Sequence, residues 1–377
     1  MLKYDCFNKN MLHTIFFAFL FILPLAFSNS LLSIYDIRTP EVYAQSTEGD
    51  IDAEDLDVEA FEDLIESTLS SSNSSSSNSN FNFAAAGDWG CNENTKETID
   101  NIVSKNPEIV LALGDLSYSP SAECWIELME PLEEITKITV GNHDLNYDRL
   151  EEITSHYEEL DPPYYYSFNY GNVHFLSINT ESDYQEGSEQ YQFIVEDLKT
   201  ASSNPNIKWI VPFYHGPMFT ENSAYDYEDL RDIYAPLFDQ YKVDLALQGH
   251  VHNYHRTFPL QYNEDDPEDP IMNSDGTIYT VVGTGGGTLE GFEGYPEYIG
   301  PLYFVHGFLD VQVTNIEDSS ILNARFYDND GIVQDEFSIT KSNGEKVITG
   351  NKGEDTADKK DTADKKDTAD KKDTADK

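Results

Sequence analysis

The chain is short of positive charge. Its 377 residues include 23 lysines and arginines against 70 aspartates and glutamates, a formal net charge of −47. Proteins that hold polyanions neutralise phosphates with clustered Lys and Arg. No basic stripe or patch can be drawn here, so a nucleic acid is excluded as a polyanion partner. Cysteine is scarce too, at three residues. Cys6 precedes an N-terminal apolar run and is lost if that segment is removed, which leaves Cys91 and Cys124 as an even pair. The glycine run GTGGG at 283–287 lacks the following Gly-Lys-Ser/Thr, so a phosphate-binding loop of that kind is excluded. A close backbone approach is the expected reason for those glycines.

The ends of the chain differ from its middle. Lys3 and Lys9 precede Met11 to Phe27, a run without Asp, Glu, Lys or Arg that contains Pro24. This has the form of a secretory leader, with small residues placed for cleavage after Ser28 or Ala44. An uncleaved membrane anchor is the competing reading, because the stretch free of those charges continues to Tyr35. Both place the protein outside the cytoplasm, secreted or at the cell surface. Residues 45–80 are acidic and then Ser/Asn-rich, a tether too poor in apolar groups to order itself. Within it Leu56, Phe61, Leu64, Ile65 and Leu69 fall at helical spacing. From Lys359 to Asp376 the unit KKDTAD repeats three times with no large apolar residue, so residues 342–377 read as a disordered, charge-balanced tail. Residues 81–341 hold most of the negative charge and can bury one sizeable core, which makes them the single globular domain.

Within that domain one pattern recurs five times: a short apolar run ends abruptly in a polar group able to bind metal. FNFAAA (81–86) runs into GDWG (87–90), IVLAL (109–113) into GDLSY (114–118), and ITKITV (135–140) into GNHD (141–144). IKWIVPF (207–213) leads to His215, and VDLAL (243–247) leads to GHVH (249–252). A helix capped near Asn94 or Thr95, with Ile99, Ile102 and Val103 on one face, separates the first two runs. Runs separated by helical stretches read as βα units, whose functional groups gather at the carboxyl ends of the strands. Cys91 and Cys124 each lie a few residues beyond such a block. A disulfide joining the two loops is therefore expected, with free buried thiols as the alternative.

Taken together, the five blocks resemble those of the calcineurin-like metallophosphoesterases, and the Tyr of GDLSY makes them most similar to the purple acid phosphatase branch. The resemblance runs from about Phe81 to Thr340 and implies an α/β fold, two mixed β-sheets packed as a sandwich and flanked by helices. It implies one metal ion, Fe(III), on Asp88, Asp115, Tyr118 and His252. The second, Fe(II), zinc or manganese, would share Asp115 and take Asn142, His215 and His250. Hard oxygen donors suit a trivalent ion, while imidazole and amide suit a borderline divalent one. By the same resemblance His143 bonds the phosphate and assists the leaving group, with Asp144 orienting its imidazole. The implied reaction is hydrolysis of a phosphate ester substrate by a metal-activated water.

Two departures from the family stand out. No histidine occurs between Gly216 and Gln248, where relatives place an outer-sphere His; Glu221, Tyr225 and Tyr227 are the residues able to occupy that space. His255 stands where relatives commonly carry Glu. A zinc or manganese phosphodiesterase or nucleotidase is therefore a second reading, and a non-catalytic cell-surface binding module a third. Trp89 is expected to pack beneath the first loop, His174 and Tyr164 to Tyr166 to serve packing within a sheet, and residues 219–232 and 262–275 to shape substrate choice.

Overall fold

Strands buried on both faces read as near-continuous apolar runs, and the runs that precede the first, second, fourth and fifth blocks are such strands, whereas the run before the third contributes a short edge strand. In a computed structural model the described residues are 80–350, apart from 146–147, 158–161, 222–224 and 292–295. The N-terminal leader, the tether with its amphipathic stretch and the KKDTAD repeats lie outside them. The described elements, in chain order, are β1 (Phe81–Ala86), α1 (Glu93–Lys105), β2 (Ile109–Ala112), α2 (Glu123–Met129), β3 (Thr136–Ile138), α3 (Arg149–His156), β4 (Tyr166–Tyr170) and β5 (Val173–Ile178). Then come α4 (Glu189–Ser203), β6 (Trp209–Tyr214), α5 (Glu228–Tyr241), β7 (Leu245–Gln248), β8 (Tyr254–Thr257), β9 (Leu260–Gln261) and β10 (Ile271–Met272). The last are β11 (Ile278–Val282), β12 (Ile299–Tyr303), β13 (Gly307–Ile316), β14 (Ser319–Asp328), β15 (Val333–Ser342) and β16 (Glu345–Gly350).

Two seven-stranded mixed sheets result, with strand orders 16-15-14-13-1-2-3 and 12-8-11-7-6-5-4. In the first, β1, β2 and β3 are parallel and β13 to β16 form an antiparallel meander beside β1. In the second, β5, β6, β7 and β11 are parallel. The sheets pack face to face through Phe83 of one and Phe175 of the other, whose rings meet edge-on at 5.1 Å within one continuous core. A second core lies between the outer face of the second sheet and helices α4 and α5, built from Leu176, Ile210, Ile194, Leu198, Leu230 and Phe238. The fold is the expected α/β sandwich flanked by helices.

Asn92, two residues before the expected cap, starts α1 by accepting the Thr95 N–H at 3.1 Å. The buried stripe is Thr95, Thr98, Ile99 and Ile102, so Val103 falls beyond its edge and is 41% exposed. Trp89 is buried against Trp125 beneath the first loop. His174 bridges Asn169 and Asp197, both at 2.7 Å, as a packed histidine between sheet and helix. The Tyr166 hydroxyl donates to Ile138 O at 2.8 Å and accepts from Ile138 N at 3.0 Å, supplying side-chain partners to the edge of β3.

The expected boundary at residue 341 is corrected. β15 and β16 form a hairpin whose two-residue turn, Asn343 and Gly344, has φ of 52° and 83°, with Ser342 paired to Glu345. Asn-Gly supplies the two positive φ angles such a turn requires, and that dipeptide was the available signal. A Cβ on Gly344 meets nothing within 4 Å. Gly344→Val should therefore lower stability by about 1–2 kcal/mol through backbone strain alone, and Gly344→Asn by about half that or less, read from denaturant midpoints.

Candidate metal centre

The five blocks converge at one end of the sandwich. Asp88, Asp115 and Asn142 follow β1, β2 and β3 of the first sheet, whereas His215 follows β6 and His250 and His252 lie between β7 and β8 of the second. Asp88, Asp115 and His250 occupy the left-handed region, with φ of 62°, 48° and 73°. Such angles are uncommon for non-glycine residues and persist where surrounding bonds over-determine them. The bonds are present. His250 N donates to Asp88 Oδ2 at 2.9 Å, and His143 N donates to Asp115 Oδ1 at 2.7 Å. Gly141 is required by proximity, because a Cβ there would lie 2.4 Å from both N and Oδ1 of Asp115. The GTGGG run makes the expected close approach: Gly285 N donates to Gly87 O at 2.8 Å and Gly287 N to Asp88 O at 2.7 Å. Cys91, beyond the first block, and Cys124 of α2 form a disulfide with Cα atoms 5.9 Å apart. For the 33-residue separation, the chain-entropy account puts its stabilisation at about 4 kcal/mol.

The side chains form two groups that share one carboxylate. In the first, the Tyr118 hydroxyl lies 2.9 Å from Asp88 Oδ1, 3.1 Å from Asp115 Oδ2 and 2.6 Å from His252 Nε2. In the second, Asn142 Oδ1 lies 3.1 Å from both His215 Nε2 and His250 Nδ1, and those two nitrogens are 3.3 Å apart. Asp115 Oδ2 joins the groups, being also 3.4 Å from His215 Nε2. Asp88, Asp115 and His215 each present a ligand atom within 4.8 Å of the others.

These donors do not satisfy one another. His215 Nδ1 donates to Leu113 O at 2.9 Å, and His252 Nδ1 donates to Thr288 O at 2.7 Å. Each neutral imidazole is thereby held with the lone pair of Nε2 turned inward, the arrangement of a metal ligand oriented from behind. One phenol proton faces three acceptors at Tyr118, and two imidazole nitrogens face the acceptor oxygen of Asn142. The carboxylates favour the charged form of the imidazoles beside them. Burial opposes a charged His215, yet Asp115 and Asp88 lift it to about 10. Burial likewise opposes a charged His252, which Asp88 lifts to about 9, while burial and the neighbouring His215 drop His250 to about 4. Burial, Asp88 and Asp115 together push the Tyr118 phenol far above its ordinary value. The donor set fits two cations, one among oxygens and one among nitrogens.

Around this centre the expected helpers divide. The His143 ring sits edge-on to Tyr118 at 4.7 Å, beside the first group. Asp144 does not take the expected role of orienting that imidazole. It is fully buried, and its two oxygens accept Leu116 N and Gly141 N, each at 2.8 Å, so it clamps the second block to the third. Burial and Asp115 raise it to about 7. Glu221 is not positioned as a stand-in for the missing histidine, since its carboxyl is buried against Asn253 and His255. Tyr225 and Tyr227 lie against His250, with ring centroids 6.1 and 5.5 Å away. Two residues were overlooked in the sequence. Buried Arg149 donates to the carbonyls of Ser119 and His143, tying two blocks together; an arginine five residues after GNHD in a cation-poor chain was the available sign. Glu181, half-buried near Tyr227, accepts from its hydroxyl at 3.5 Å; no spacing marked it.

Residues 81–254 match the calcineurin-like phosphoesterase family, and the chain carries a domain of that family. Its similarity is to the purple acid phosphatase-like branch. Among curated proteins it is 29% identical over 231 residues to "Probable purple acid phosphatase 20" of Arabidopsis thaliana, covering 55% of this chain and 52% of that one. It is also 29% identical over 278 residues to "Probable inactive purple acid phosphatase 27" of the same plant, covering 64% and 45%. The chain thus spans about half the length of the curated relatives it matches. A purple acid phosphatase structure from yellow lupin (Lupinus luteus) seeds superposes with a TM-score of 0.56 at 22% identity, over 71% of this chain and 55% of that one.

Gly141→Ala tests the convergence without touching a donor. The added methyl group must displace Asp115, so bound metal should fall at least about tenfold on equilibrium dialysis while most of the fold survives.

Proposed function

We propose that this chain is an exported phosphatase that hydrolyses phosphate monoesters at two metal ions. The observation that carries the reading is the shared Asp115 carboxylate, whose Oδ2 lies near both the Tyr118 hydroxyl and His215 Nε2. Asp88, Asp115, Tyr118 and His252 would hold Fe(III), and Asp115, Asn142, His215 and His250 would hold Fe(II), zinc or manganese. When bound, such a pair supplies Lewis acidity toward the phosphoryl oxygens and a water acidified enough to attack. Two carboxylates and a phenolate give about −3 against roughly +5 from the ions, a positive centre for an anionic substrate.

The remaining work belongs to this chain's own groups. His143, at the edge of Tyr118, is the side chain that would bond the phosphate and pass a proton to the leaving oxygen. Arg149 and Asp144 keep it in place through the backbone, by holding the His143 carbonyl and the Gly141 and Leu116 amides. The relatives named purple acid phosphatases support catalysis. Export is supported by the leader-like Met11 to Phe27 run and by the Cys91–Cys124 disulfide, a bond that persists in oxidising compartments. A non-catalytic reading finds support in the relative named "probable inactive", and it is weakened by the presence of all seven donors in one cluster.

The metal-loaded protein should show a visible absorption band that Tyr118→Phe removes, and Asp115→Ala should lower kcat/KM on an aryl phosphate by at least about 10³. A colourless, active protein would favour a zinc or manganese phosphodiesterase or nucleotidase, and absence of turnover with both ions loaded would favour a binding module. Because the surface is strongly acidic, raising ionic strength from about 10 to 150 mM should increase kcat/KM for an anionic substrate about twofold or more, opposite to the usual sign for a steered reaction.

A further inference from the structure

Behind the GHVH block lies a buried polar cluster that the roles above do not use. The Glu221 and His255 side chains have no exposed surface, and Asn253 is buried between them. Asn253 Nδ2 donates to Glu221 Oε1 at 2.5 Å, and its Oδ1 accepts from His255 Nδ1 at 2.7 Å. His255 Nδ1 is also 3.2 Å from Glu221 Oε2. A buried carboxyl is costly unless polar neighbours of this kind surround it, so separating the three carries a large penalty.

The cluster joins two parts of the chain with different duties. Asn253 directly follows His252, accepts Gly283 N at 3.1 Å through its carbonyl, and leads into β8, which carries His255. Glu221 belongs to the segment after His215 that also presents Tyr225 and Tyr227 to His250. The base of that segment is fixed independently. Tyr227 N donates to Pro217 O at 2.8 Å, and Thr220 donates to Asp226 Oδ1 through N at 2.9 Å and through Oγ1 at 2.8 Å. Gly216 N, donating to Thr180 Oγ1 at 3.1 Å, and Met218 N, donating to Gln248 Oε1 at 2.7 Å, anchor its start, and the Tyr227 hydroxyl reaches Glu181 Oε1 at 3.5 Å. Glu221 adds an anchor further along the segment, to the residues that follow His252.

We propose that Glu221, Asn253 and His255 are positioning residues, which hold Tyr225 and Tyr227 against His250 and thereby shape the substrate pocket beside the second donor group. The kinetic side of this inference rests on the phosphatase reading. It requires that the cluster affect substrate affinity more than the chemical step, because its side chains bond one another rather than the donor side chains or His143. It also requires that its effect pass through the two tyrosine rings.

The test is steady-state hydrolysis of p-nitrophenyl phosphate by the full, metal-loaded chain. Glu221→Gln and His255→Gln should each raise KM about tenfold, change kcat less than about threefold, and leave metal content and the visible band as in the unsubstituted protein. Placed in a Tyr225→Ala/Tyr227→Ala background, the same substitutions should add less than about twofold, since the rings they position are gone. An unchanged KM overturns the assignment, as does an equal rise in the ring-deleted background. Failure of both variants to fold would make the cluster a stability element alone and overturn it too. Amide exchange of the peptide bearing Tyr225 and Tyr227 gives a readout without turnover: exchange should quicken in Glu221→Gln, and equal rates count against the proposal. A wild-type chain that hydrolyses no phosphate ester therefore sinks the phosphatase reading, while the positioning role is still decided by exchange.

Discussion

The structure depends on a concentration of lone pairs that the protein cannot neutralise by itself. Two carboxylates, a phenol, an amide oxygen and three imidazoles meet where one phenol proton serves three acceptors and inward-facing nitrogens oppose an acceptor oxygen. Among the described residues, the ion-pair partners of Asp88 and Asp115 are histidines, with no lysine or arginine supplied. A folded chain tolerates such a cluster if protons or cations fill it, and much of the surrounding architecture keeps it from relaxing apart.

That restraint is applied from behind, through the backbone. Left-handed angles at Asp88, Asp115 and His250 turn the donors inward, and amides of His250 and His143 hold the two carboxylates in place. Asp144 and Arg149, a buried acid and a buried base, bind backbone amides and carbonyls of neighbouring blocks. The Gly285 and Gly287 amides clasp the first block, and the Cys91–Cys124 bridge ties it to α2. Restraint of this kind makes sense for a site whose donors come from two sheets. Neither sheet holds a complete set.

The acidic surface adds a second theme. A metal centre of the kind proposed, set in a strongly negative protein, would gain little from long-range attraction of anionic substrates, so recognition would have to come from contacts beside it. This places weight on groups close to the centre, namely His143, Tyr225, Tyr227 and the carboxyl of Glu181. Buried polar networks such as that of Glu221, Asn253 and His255 are a means of giving such groups one geometry rather than several.

The parallel strands and their terminal blocks were legible because burial on both faces leaves an apolar run, and because the chain breaks that run with Gly-Asp, Gly-Asn or Gly-His at the point of chemistry. The hairpin ending in β16 was missed although Asn343-Gly344 marked its turn, because its strand carries few apolar residues. What could not be read was which side chain faces which. Asp144 sits beside His143 in the chain yet bonds Leu116 and Gly141; Glu221 meets residues 32 and 34 positions away; His250 holds a carboxylate 162 positions earlier. Residue types and their order restrict the chemistry, because only certain atoms bind hard or borderline cations. The partner of each atom depends on how two sheets pack, because bonds across the core are set by distances that one-dimensional spacing does not carry.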